Sequence, residues 1–493
     1  MTMGFHPLQG GYDIPMRVVG ANIYYEWLIY ILMLIPIGLF LYGAYKRIQI
    51  WRLAKGSINR TDRVVDRTFS FLTFTFGQGK VLRKPFAGSM HFLLFWGFIV
   101  LFIATASFAS WDKIKFPPLT GNFYIYFSMF VDIMGFLALI GILALAYIRY
   151  IQKPDRLWDT KPLDGWVLVL ILTILFTGYV IEALRVAAQI DLAGGTSPVA
   201  YERLASPIGW SMAGWFSGLP LAQALIWHRI MWWFHMTISF VFIAMVPFTK
   251  LWHIFAGMIA YFTRNLKLTT VRMVYNLENA ETFGVEKIEE FTWKDLLDLD
   301  ACIRCGRCQE ACPAYNTGKA LNPKITIIQV MKKHLDAKAP QLLREGTDNS
   351  LTEVSMTITN EYDNVGPEAH LIYDVVTPTV LWECTNCAGC VHHCPMFIEH
   401  IAKIVDMRRN LVMWQGDIPS EAQSAFVNME RNYNPWGVGW AGRSSWLTER
   451  NVRDKVILLP EEQAEFDYLL FAGCATAFDD RYKKVGEALL RIL

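Results

Sequence analysis

The chain has 493 residues, of which 53% are hydrophobic, and its mean hydropathy is +0.27 with a formal net charge of +2. This length exceeds that of one small domain, and the hydropathy is high for a soluble protein. The basic residues follow the pattern of membrane topology and form no single patch, so no nucleic acid is expected as a partner. The chain divides at about residue 262 into a membrane-like part and a charged, soluble part.

Five apolar stretches are long enough to cross a bilayer as a helix, which takes roughly 20 residues. They are Ile23–Tyr45, Phe86–Phe108, Phe123–Tyr147, Gly165–Ala187 and Leu221–Phe248. The fifth is expected to continue as a helix to Phe262. The N-terminus lacks a basic region and the first stretch is followed by no small-residue cleavage site, so we interpret it as a retained helix and not as a signal peptide.

Positive charge in the loops predicts the orientation of these spans. The segment between spans one and two carries ten lysines and arginines against two aspartates, and the loop between spans three and four is also basic. The loops on the opposite side carry few basic residues. The positive-inside rule then places the N-terminus outside and everything after the fifth span in the cytoplasm. We expect a multi-pass protein of the cell inner (cytoplasmic) membrane, surrounded by membrane lipid.

Histidines at membrane depth are candidate functional groups, because an ionisable side chain is costly there. His91 and His253 both lie near the cytoplasmic ends of their predicted helices. They are therefore predicted to be the axial ligands of one haem b, with simple packing as the alternative. On a continuous fifth helix, His235 shares a face with His253 about 27 Å away. It either ligates a second haem or is a neutral histidine between helices or beside a quinone, since spans one, three and four offer no second histidine.

Other polar residues lie toward the outer ends of spans four and five. His228 is interpreted as part of the outer aromatic belt, because tryptophans surround it. Glu182 and Arg185 form either an interfacial ion pair or the lining of a proton and quinone site.

The soluble part carries two cysteine runs with the same spacing, Cys-x2-Cys-x2-Cys-x3-Cys-Pro. This is the bacterial ferredoxin motif, in which the fourth cysteine of each run ligates the other cluster. One [4Fe–4S] cluster is therefore predicted on Cys302, Cys305, Cys308 and Cys394, and another on Cys384, Cys387, Cys390 and Cys312. Zinc sites usually show isolated Cys-x2-Cys pairs, and disulfides are rare in the cytoplasm. Two clusters in series indicate transfer of single electrons.

The remaining pattern predicts the domain organisation. Helices are expected at Thr292–Leu299, around Ile325–Leu335 and at Ile398–Gln415. Near the end of the chain, a strand at Tyr468–Phe471 is expected, followed by a turn at Gly473-Cys474 and a helix through Val485 and Leu489. The predicted domains are a transmembrane domain at 1–262, a linker at 263–290, a ferredoxin domain at 291–415, a linker at 416–465 and the start of a further domain at 466–493. No nucleotide-binding glycine loop or nucleophile–His–Asp arrangement is present.

These features resemble a family of membrane-bound Fe–S oxidoreductases related to heterodisulfide reductase. The resemblance is carried by Leu299 to Gln309 around the first run and by Ile404 to Leu411 after the second. The five-helix part is similar to the gamma-subunit cytochrome b of respiratory nitrate reductase, whose haem-ligand positions are occupied here by His91, His235 and His253, with Leu101 at the fourth. The fold implied is an all-α membrane domain of five transmembrane helices, a helical two-[4Fe–4S] ferredoxin domain and the start of an α/β CCG domain.

The last part of the chain resembles the opening of the cysteine-rich CCG domain, through Phe471 to Cys474 and the following Phe478-Asp479-x-Arg481. That domain needs several more cysteines, and only Cys474 is present here. The portion is either truncated or vestigial, and a non-cubane CCG cluster is expected only if the chain continues beyond Leu493.

The resemblance implies an electron-transfer flavoprotein:quinone oxidoreductase. Such an enzyme passes electrons from a cytoplasmic donor, reduced electron-transfer flavoprotein, through two [4Fe–4S] clusters and haem b to membrane quinone, here menaquinone. One alternative is a thiol–disulfide enzyme of the heterodisulfide reductase type. Another is a non-catalytic electron-transfer or anchor subunit of a different dehydrogenase.

Overall fold

The computed structural model describes Pro15, Gly20 and residues 22–192, 201–267, 271–272, 278, 283–345, 365–459 and 465–493. Parts of the predicted linkers at 263–290 and 416–465 therefore lie outside the described residues. Within the described ranges the regular structure is helical, and β-pairing is limited to two isolated bridges.

Five helical segments are long and apolar enough to cross a membrane, as predicted. They are Leu28–Arg52, Pro85–Ile114, Gly121–Gln152, Pro162–Asp191 and Leu221–Phe248. Four of them extend beyond at least one predicted end, because polar residues at the interface continue the helix past the apolar core. In chain order the helices of this part are α1 (Leu28–Leu32), α2 (Leu34–Arg52), α3 (Val64–Phe76), α4 (Gly79–Leu82), α5 (Pro85–Ile114), α6 (Gly121–Tyr147), α7 (Pro162–Leu192), α8 (Glu202–Ala205), α9 (Pro207–Ala213), α10 (Leu221–Met245) and α11 (His253–Thr263).

Small residues allow spans two and three to pack closely. A Cβ on Gly97 of α5 would lie 2.5 Å from the Cβ of Ala138, and one on Gly141 of α6 would lie 2.6 Å from the carbonyl oxygen of Met90. Membrane helices gain little hydrophobic energy from each other's contact, so close backbone approach supplies the packing. The large side chains of both helices are then left to face lipid.

The fifth span does not continue to Phe262, and that prediction is wrong. Helix α10 ends at Met245, two short 3-10 turns follow, and α11 begins at His253. Pro247 lies in the first turn, where it has no N–H to donate and its ring excludes a regular helix. Thr249 is extended and its hydroxyl accepts from the backbone N–H of Leu251 at 3.3 Å. His235 and His253 consequently lie on separate helices, so their spacing in sequence does not put them on one face.

The cysteine-bearing part is built from short helices. They are α12 (Trp293–Ala301), α13 (Arg307–Glu310), α14 (Pro313–Asn316), a π-helical turn at Pro323–Gln329 leading into α15 (Val330–Glu345), α16 (Pro378–Trp382), α17 (Gly389–His393) and α18 (His400–Arg409). The predicted helices at Thr292–Leu299 and Ile325–Leu335 are present. Thr292 begins α12 through a capping box, in which its hydroxyl and the Asp295 carboxylate satisfy each other's backbone N–H groups.

One compact unit contains residues 1–280 and 285–408, so the membrane helices and the cysteine-bearing helices pack as one body. The second unit contains residues 281–284 and 409–493. Its helices are a π-helical turn at Asn410–Gln415, α19 (Ser420–Asn432), a 3-10 turn at Trp440–Ser444, α20 (Ser445–Glu449), α21 (Cys474–Phe478) and α22 (Asp480–Ile492). A small core of Trp446, Leu447, Val452 and Ala477 holds the second unit together.

The predicted strand at Tyr468–Phe471 is not formed in this chain. A strand needs a neighbouring strand to satisfy its backbone groups, and the described residues offer none. Phe471 is accordingly 88% exposed. The helix predicted through Val485 and Leu489 is present as α22, and Asp479 caps it by accepting from the backbone N–H groups of Arg481 and Tyr482 at 3.0 Å.

Candidate metal centres

The eight cysteines of the two runs lie around two cavities. One is lined by Cys302, Cys305, Cys308 and Cys394; we name it the first cavity. The other is lined by Cys384, Cys387, Cys390 and Cys312; we name it the second cavity. The grouping has the crossed pattern that the ferredoxin motif predicts. Among the described residues, no three His, Cys, Asp or Glu side chains converge closely enough to hold a single metal ion, so the sulfurs surround space instead of meeting at a point.

The two runs have the same backbone conformation. In each run a left-handed residue lies two positions after the first cysteine and another lies directly after the second. They are Arg304 (φ 54°) and Gly306 (φ 73°) in the first run, and Asn386 (φ 54°) and Ala388 (φ 59°) in the second. This winding turns three successive cysteine side chains of each run toward one cavity.

A glycine in each run allows another segment to approach. A Cβ on Gly306 would lie 2.5 Å from the carbonyl oxygen of Arg156, in the loop between spans three and four. A Cβ on Gly389 would lie 2.9 Å from the carbonyl oxygen of Ala311, which brings the second run against the end of the first. The crossed arrangement of cysteines depends on this second approach.

Burial governs the protonation of the cysteine thiols. It raises the pKa of Cys302 to about 11 and that of Cys394 to about 12, in both cases chiefly by desolvating the thiolate. Iron binds thiolate, so binding of an iron–sulfur group in the first cavity would release these protons. The donor set, four cysteines around each space, fits a [4Fe–4S] cluster.

The first cavity is fastened to loops of the membrane helices. Arg156 donates to the carbonyl of Cys305 at 2.6 Å. Arg307, between the second and third cysteines of the first run, donates to the carbonyls of Lys80 and Val81 at 2.7 and 2.8 Å. Lys80 in turn donates to the carbonyl of Cys394 at 3.3 Å. Helix α4 therefore contacts both cysteine runs at the cavity where they meet.

An ion-pair group reinforces this attachment. Asp164, at the start of span four, accepts two hydrogen bonds from Arg304 at 2.8 Å. Its carboxylate also pairs with Arg149 at 2.9 Å and with Lys250 at 2.6 Å. The side chain of Asp164 is 3% exposed, so these pairs are screened little by solvent. One buried carboxylate thus joins the first cysteine run to two loops of the membrane domain.

His91 and His253 have the surroundings of axial ligands. Nδ1 of His91 lies 3.0 Å from the amide oxygen of Gln78, and Nδ1 of His253 lies 2.6 Å from the carbonyl oxygen of Lys250. Each contact orients a ring so that Nδ1 carries the proton and Nε2 is left as the possible iron ligand. The two rings are close enough to interact electrostatically, and Arg307 of the first cysteine run is also within range of His91. These histidines fit one haem at the end of the bundle that carries the cysteines.

His235 has a similar orientation but different neighbours. Its Nδ1 lies 2.8 Å from the hydroxyl of Thr177, which itself donates to the carbonyl of Thr173 at 2.7 Å. The hydroxyl therefore accepts from Nδ1, and Nε2 is available. This contact between spans four and five is compatible with both interpretations of His235, because either a haem ligand or a packing histidine would make it.

Two outer groups are more buried than the sequence suggests. His228 is 5% exposed and lies 3.4 Å from the side chain of Asn22, so it is not an exposed member of the aromatic belt. Arg185 pairs with Glu182 at 2.5 Å and also with Glu202 at 2.9 Å. Glu202 is the member that sequence reasoning missed, since it lies in a turn after the span. The three form a buried ion-pair group that ties α8 to span four.

Sequence reasoning also missed residues around the cavities. The amide of Gln329 donates to the sulfur of Cys302 at 3.6 Å, and Lys324 and His400 line the first cavity. Arg408 donates to the carbonyl of Cys384 at 2.5 Å. Of these residues, only Arg408 could have been identified from the sequence, because it belongs to the Ile404–Leu411 segment that carries the family resemblance.

Comparison with known proteins agrees with this arrangement. Residues 298–398 match the 4Fe-4S dicluster domain family, and residues 114–272 match the nitrate reductase gamma subunit family. The first match covers both cysteine runs. The second covers spans three to five with His235 and His253, and His91 lies outside it.

A curated relative, the EtfAB:quinone oxidoreductase of Syntrophomonas wolfei subsp. wolfei, is 62% identical over 495 residues, which is 100% of this chain and 69% of that protein. The chain belongs to this family of oxidoreductases. The probable iron-sulfur-binding oxidoreductase FadF of Bacillus subtilis is 30% identical over 87% of the chain and 62% of its own length. One component of the dihydromethanophenazine:CoB--CoM heterodisulfide reductase of Methanosarcina barkeri is 28% identical over 39% of the chain.

The alignments with these three proteins extend over 69%, 62% and 41% of their own lengths. No solved structure matches the chain. The chain thus joins a 4Fe-4S dicluster domain to a multi-pass membrane domain, and its function is argued from that architecture.

Proposed function

We propose that the chain carries electrons from a reduced electron-transfer flavoprotein to membrane quinone, and that menaquinone is the quinone. The observation that carries this proposal is the attachment of a four-cysteine cavity directly to the loops of a membrane bundle, beside two oriented histidines. The related EtfAB:quinone oxidoreductase is named for the same donor and acceptor.

Each residue set has a separate task. Cys302, Cys305, Cys308 and Cys394 hold one [4Fe–4S] cluster, and Cys384, Cys387, Cys390 and Cys312 hold the other. His91 and His253 hold a haem b, and His235 holds a second haem or lines the quinone site. The clusters and haem supply one-electron carriers between a flavin and a quinone.

The positive loops between spans one and two and between spans three and four support a cytoplasmic position for the cysteine-bearing helices. In that orientation the protein lies in the cell inner (cytoplasmic) membrane and the donor binds from the cytoplasm. The N-terminus then lies outside.

Cys474 lies outside the two cysteine runs and has a separate role in this proposal. It is partly exposed at the start of α21, and the guanidinium of Arg443 lies 3.5 Å from its sulfur. We assign it to a CCG-type cluster, which needs several cysteines in addition to this one. We also propose that the domains of the chain are divided at residues 262, 290, 415 and 465.

The experiment is an assay of the complete membrane protein, purified in detergent and supplied with reduced electron-transfer flavoprotein and a water-soluble quinone analogue. Quinone reduction dependent on the flavoprotein is the expected result. The same preparation receives a disulfide substrate in a parallel assay. Reduction of the disulfide without quinone reduction would assign the chain to the heterodisulfide reductase type instead. Iron and acid-labile sulfide content, with reduced-minus-oxidised haem spectra, establish which groups are bound.

A further inference from the structure

Lys80 occupies a special position between the membrane loops and the first cavity. Its ammonium donates to the carbonyls of Cys394 and Val391 at 3.3 and 3.4 Å, both in the second cysteine run. It also lies 3.6 Å from the ring centre of Phe397. These contacts hold one positive charge directly behind a predicted cluster ligand.

The backbone of Lys80 is held as firmly as its side chain. Arg307 donates to the carbonyl of Lys80 at 2.7 Å and to that of Val81 at 2.8 Å. Reciprocal contacts of this kind leave the ammonium little freedom to move away from Cys394. Lys80 is therefore a fixed charge and not a mobile surface lysine.

A fixed positive charge near an iron–sulfur cluster has a predictable effect. Reduction makes the cluster more negative, so a nearby cation stabilises the reduced form and raises the reduction potential. Hydrogen bonds to cluster sulfurs act in the same direction, and Gln329 supplies one to Cys302. At the second cavity the comparable cation is Arg408, which donates to the carbonyl of Cys384 at 2.5 Å. The first cavity has a further cation besides Lys80, since Arg156 donates to the carbonyl of Cys305 at 2.6 Å.

We propose that Lys80 is a positioning residue that raises the reduction potential of the cluster in the first cavity. The proposal rests on the proposed function, because it requires bound clusters. A higher potential at the cluster fastened to the membrane domain favours electron transfer toward that domain.

The test is an EPR-monitored redox titration of the full-length protein. Lys80→Gln is expected to shift one of the two cluster signals to lower potential and to leave the other in place. Lys80→Arg should keep the wild-type potential, because the charge stays. Lys84→Gln is the matched control: Lys84 lies on the same loop but pairs with Glu310 at 3.0 Å and is half-exposed.

Gln329→Leu provides a second variant that does not touch the membrane loop. It should lower the potential of the same signal that Lys80→Gln lowers. Unchanged potentials in both variants, or a shift of the other signal, would overturn the assignment. A protein that binds no iron or sulfide would instead refute the proposed function, so the two failures are distinguishable.

A second inference concerns α3, which carries an apolar face away from the protein. Val65, Phe69, Leu72 and Phe76 recur at spacings of four, three and four residues, so they lie along one side of the helix, and all four are exposed. The opposite side packs on the protein, where Arg67 donates to the carbonyls of Phe262 and Arg264 at 3.1 and 3.0 Å. An apolar stripe of this kind is typical of a helix lying in a membrane interface.

We infer that this stripe is embedded in the boundary between lipid headgroups and acyl chains. Two observations favour lipid as the occupant: α3 lies in the segment between two membrane spans, and it packs against α11, which follows the fifth span. The flanking Arg63 and Lys84 are at least half-exposed and carry the charge that anionic headgroups attract.

The test uses a photoreactive benzoylphenylalanine placed at single positions of the full-length protein in nanodiscs that contain anionic phospholipid. We expect lipid adducts from positions 69 and 72, on the apolar stripe. Position 66 is the control, because Asp66 lies on a polar side of α3, where it pairs with Arg63 at 2.8 Å. Cross-links from position 69 to a second copy of the chain, or no adduct there, would contradict the inference.

Discussion

At the scale of single residues, the left-handed positions of the cysteine runs are the most constrained. These four positions are Arg304, Gly306, Asn386 and Ala388. Alanine in this conformation costs roughly 1–2 kcal/mol, because its Cβ approaches the following carbonyl oxygen. Glycine avoids that cost, and asparagine tolerates it.

Ala388→Gly is therefore expected to stabilise the protein by about 0.5 kcal/mol, the relief of strain being partly offset by the greater freedom of glycine in the unfolded chain. Gly306→Ala should have the opposite effect, of at least ~1 kcal/mol, since it adds a Cβ at positive φ. The added Cβ would also lie 2.5 Å from the carbonyl oxygen of Arg156. Thermal unfolding of the two purified variants measures both changes in stability. Equal melting temperatures would argue against this account of the runs.

The crossed ligation makes a second prediction for single residues. Cys308→Ser should damage the cluster of the first cavity and Cys312→Ser that of the second, although the two cysteines are close in sequence. Low-temperature EPR and iron content of each variant distinguish the two clusters. Loss of the same signal in both variants would show that the ligation is not crossed.

At the scale of elements, buried charge joins the helix that precedes the first run to the helix that follows the second. Lys403 on α18 pairs with Asp295 at 3.0 Å and with Asp298 at 2.7 Å, and all three side chains are fully buried. Burial alone would keep a carboxyl protonated, yet the Lys403 ammonium and the Arg272 guanidinium hold the pKa of Asp295 well below its usual range. Helices α12 and α18 are thus fixed to each other on the side away from solvent.

Lys403→Met should destabilise the protein by roughly 3 kcal/mol, because it removes an ammonium shared by two buried carboxylates and leaves Asp295 only with Arg272 and Asp298 only with Lys294 as charged partners among the described residues. Lys338→Met is the control, since Lys338 pairs with a single glutamate at 3.5 Å. Denaturant unfolding followed by the absorbance of the bound clusters compares the two. A similar midpoint for both variants would mean that the buried pair contributes little.

The ends of α5 and α11 give a second prediction at this scale. His91→Ala and His253→Ala should each remove the same haem b absorbance, because both rings would ligate one iron. His235→Ala should remove further absorbance only if a second haem is bound. Reduced-minus-oxidised spectra decide, and full haem content in either of the first two variants would exclude the pair.

How far the sequence predicts this structure depends on how local each signal is. Five apolar stretches predict the five spans, because length and hydropathy suffice. Cysteine spacing likewise predicts which sulfurs share a cavity. The contacts of Lys80 with Cys394 and of Asp164 with Arg304 join segments far apart in sequence, so no local pattern indicates them. Pro247 was a visible signal for the break in the fifth span, but continuous hydropathy outweighed it in the prediction.

At the scale of the whole molecule, the cysteine-bearing helices and the membrane bundle form one compact unit. A rigid attachment keeps redox groups at a constant separation, whereas a flexible tether would make each transfer wait for an encounter. The contacts of Arg304, Arg156 and Lys80 with membrane loops are the attachment.

Stopped-flow reduction tests this arrangement. With a reduced flavoprotein donor, His253→Ala should still reduce its iron–sulfur clusters, while reduction of haem and quinone stalls. The physical reason is that His253 lies at the end of the bundle nearest the first cavity. Quinone reduction at the wild-type rate in this variant would exclude the haem from the path.

The crossed grouping of cysteines also constrains biogenesis. Each cavity is lined by cysteines of both runs, so neither can be completed on the ribosome until the second run has been synthesised. By then all five spans, the last of which ends at Phe248, have been synthesised. If each cluster is ligated as the cavities group the cysteines, cluster insertion waits for the second run, and a nascent chain arrested before that run would carry neither cluster and four unligated thiols.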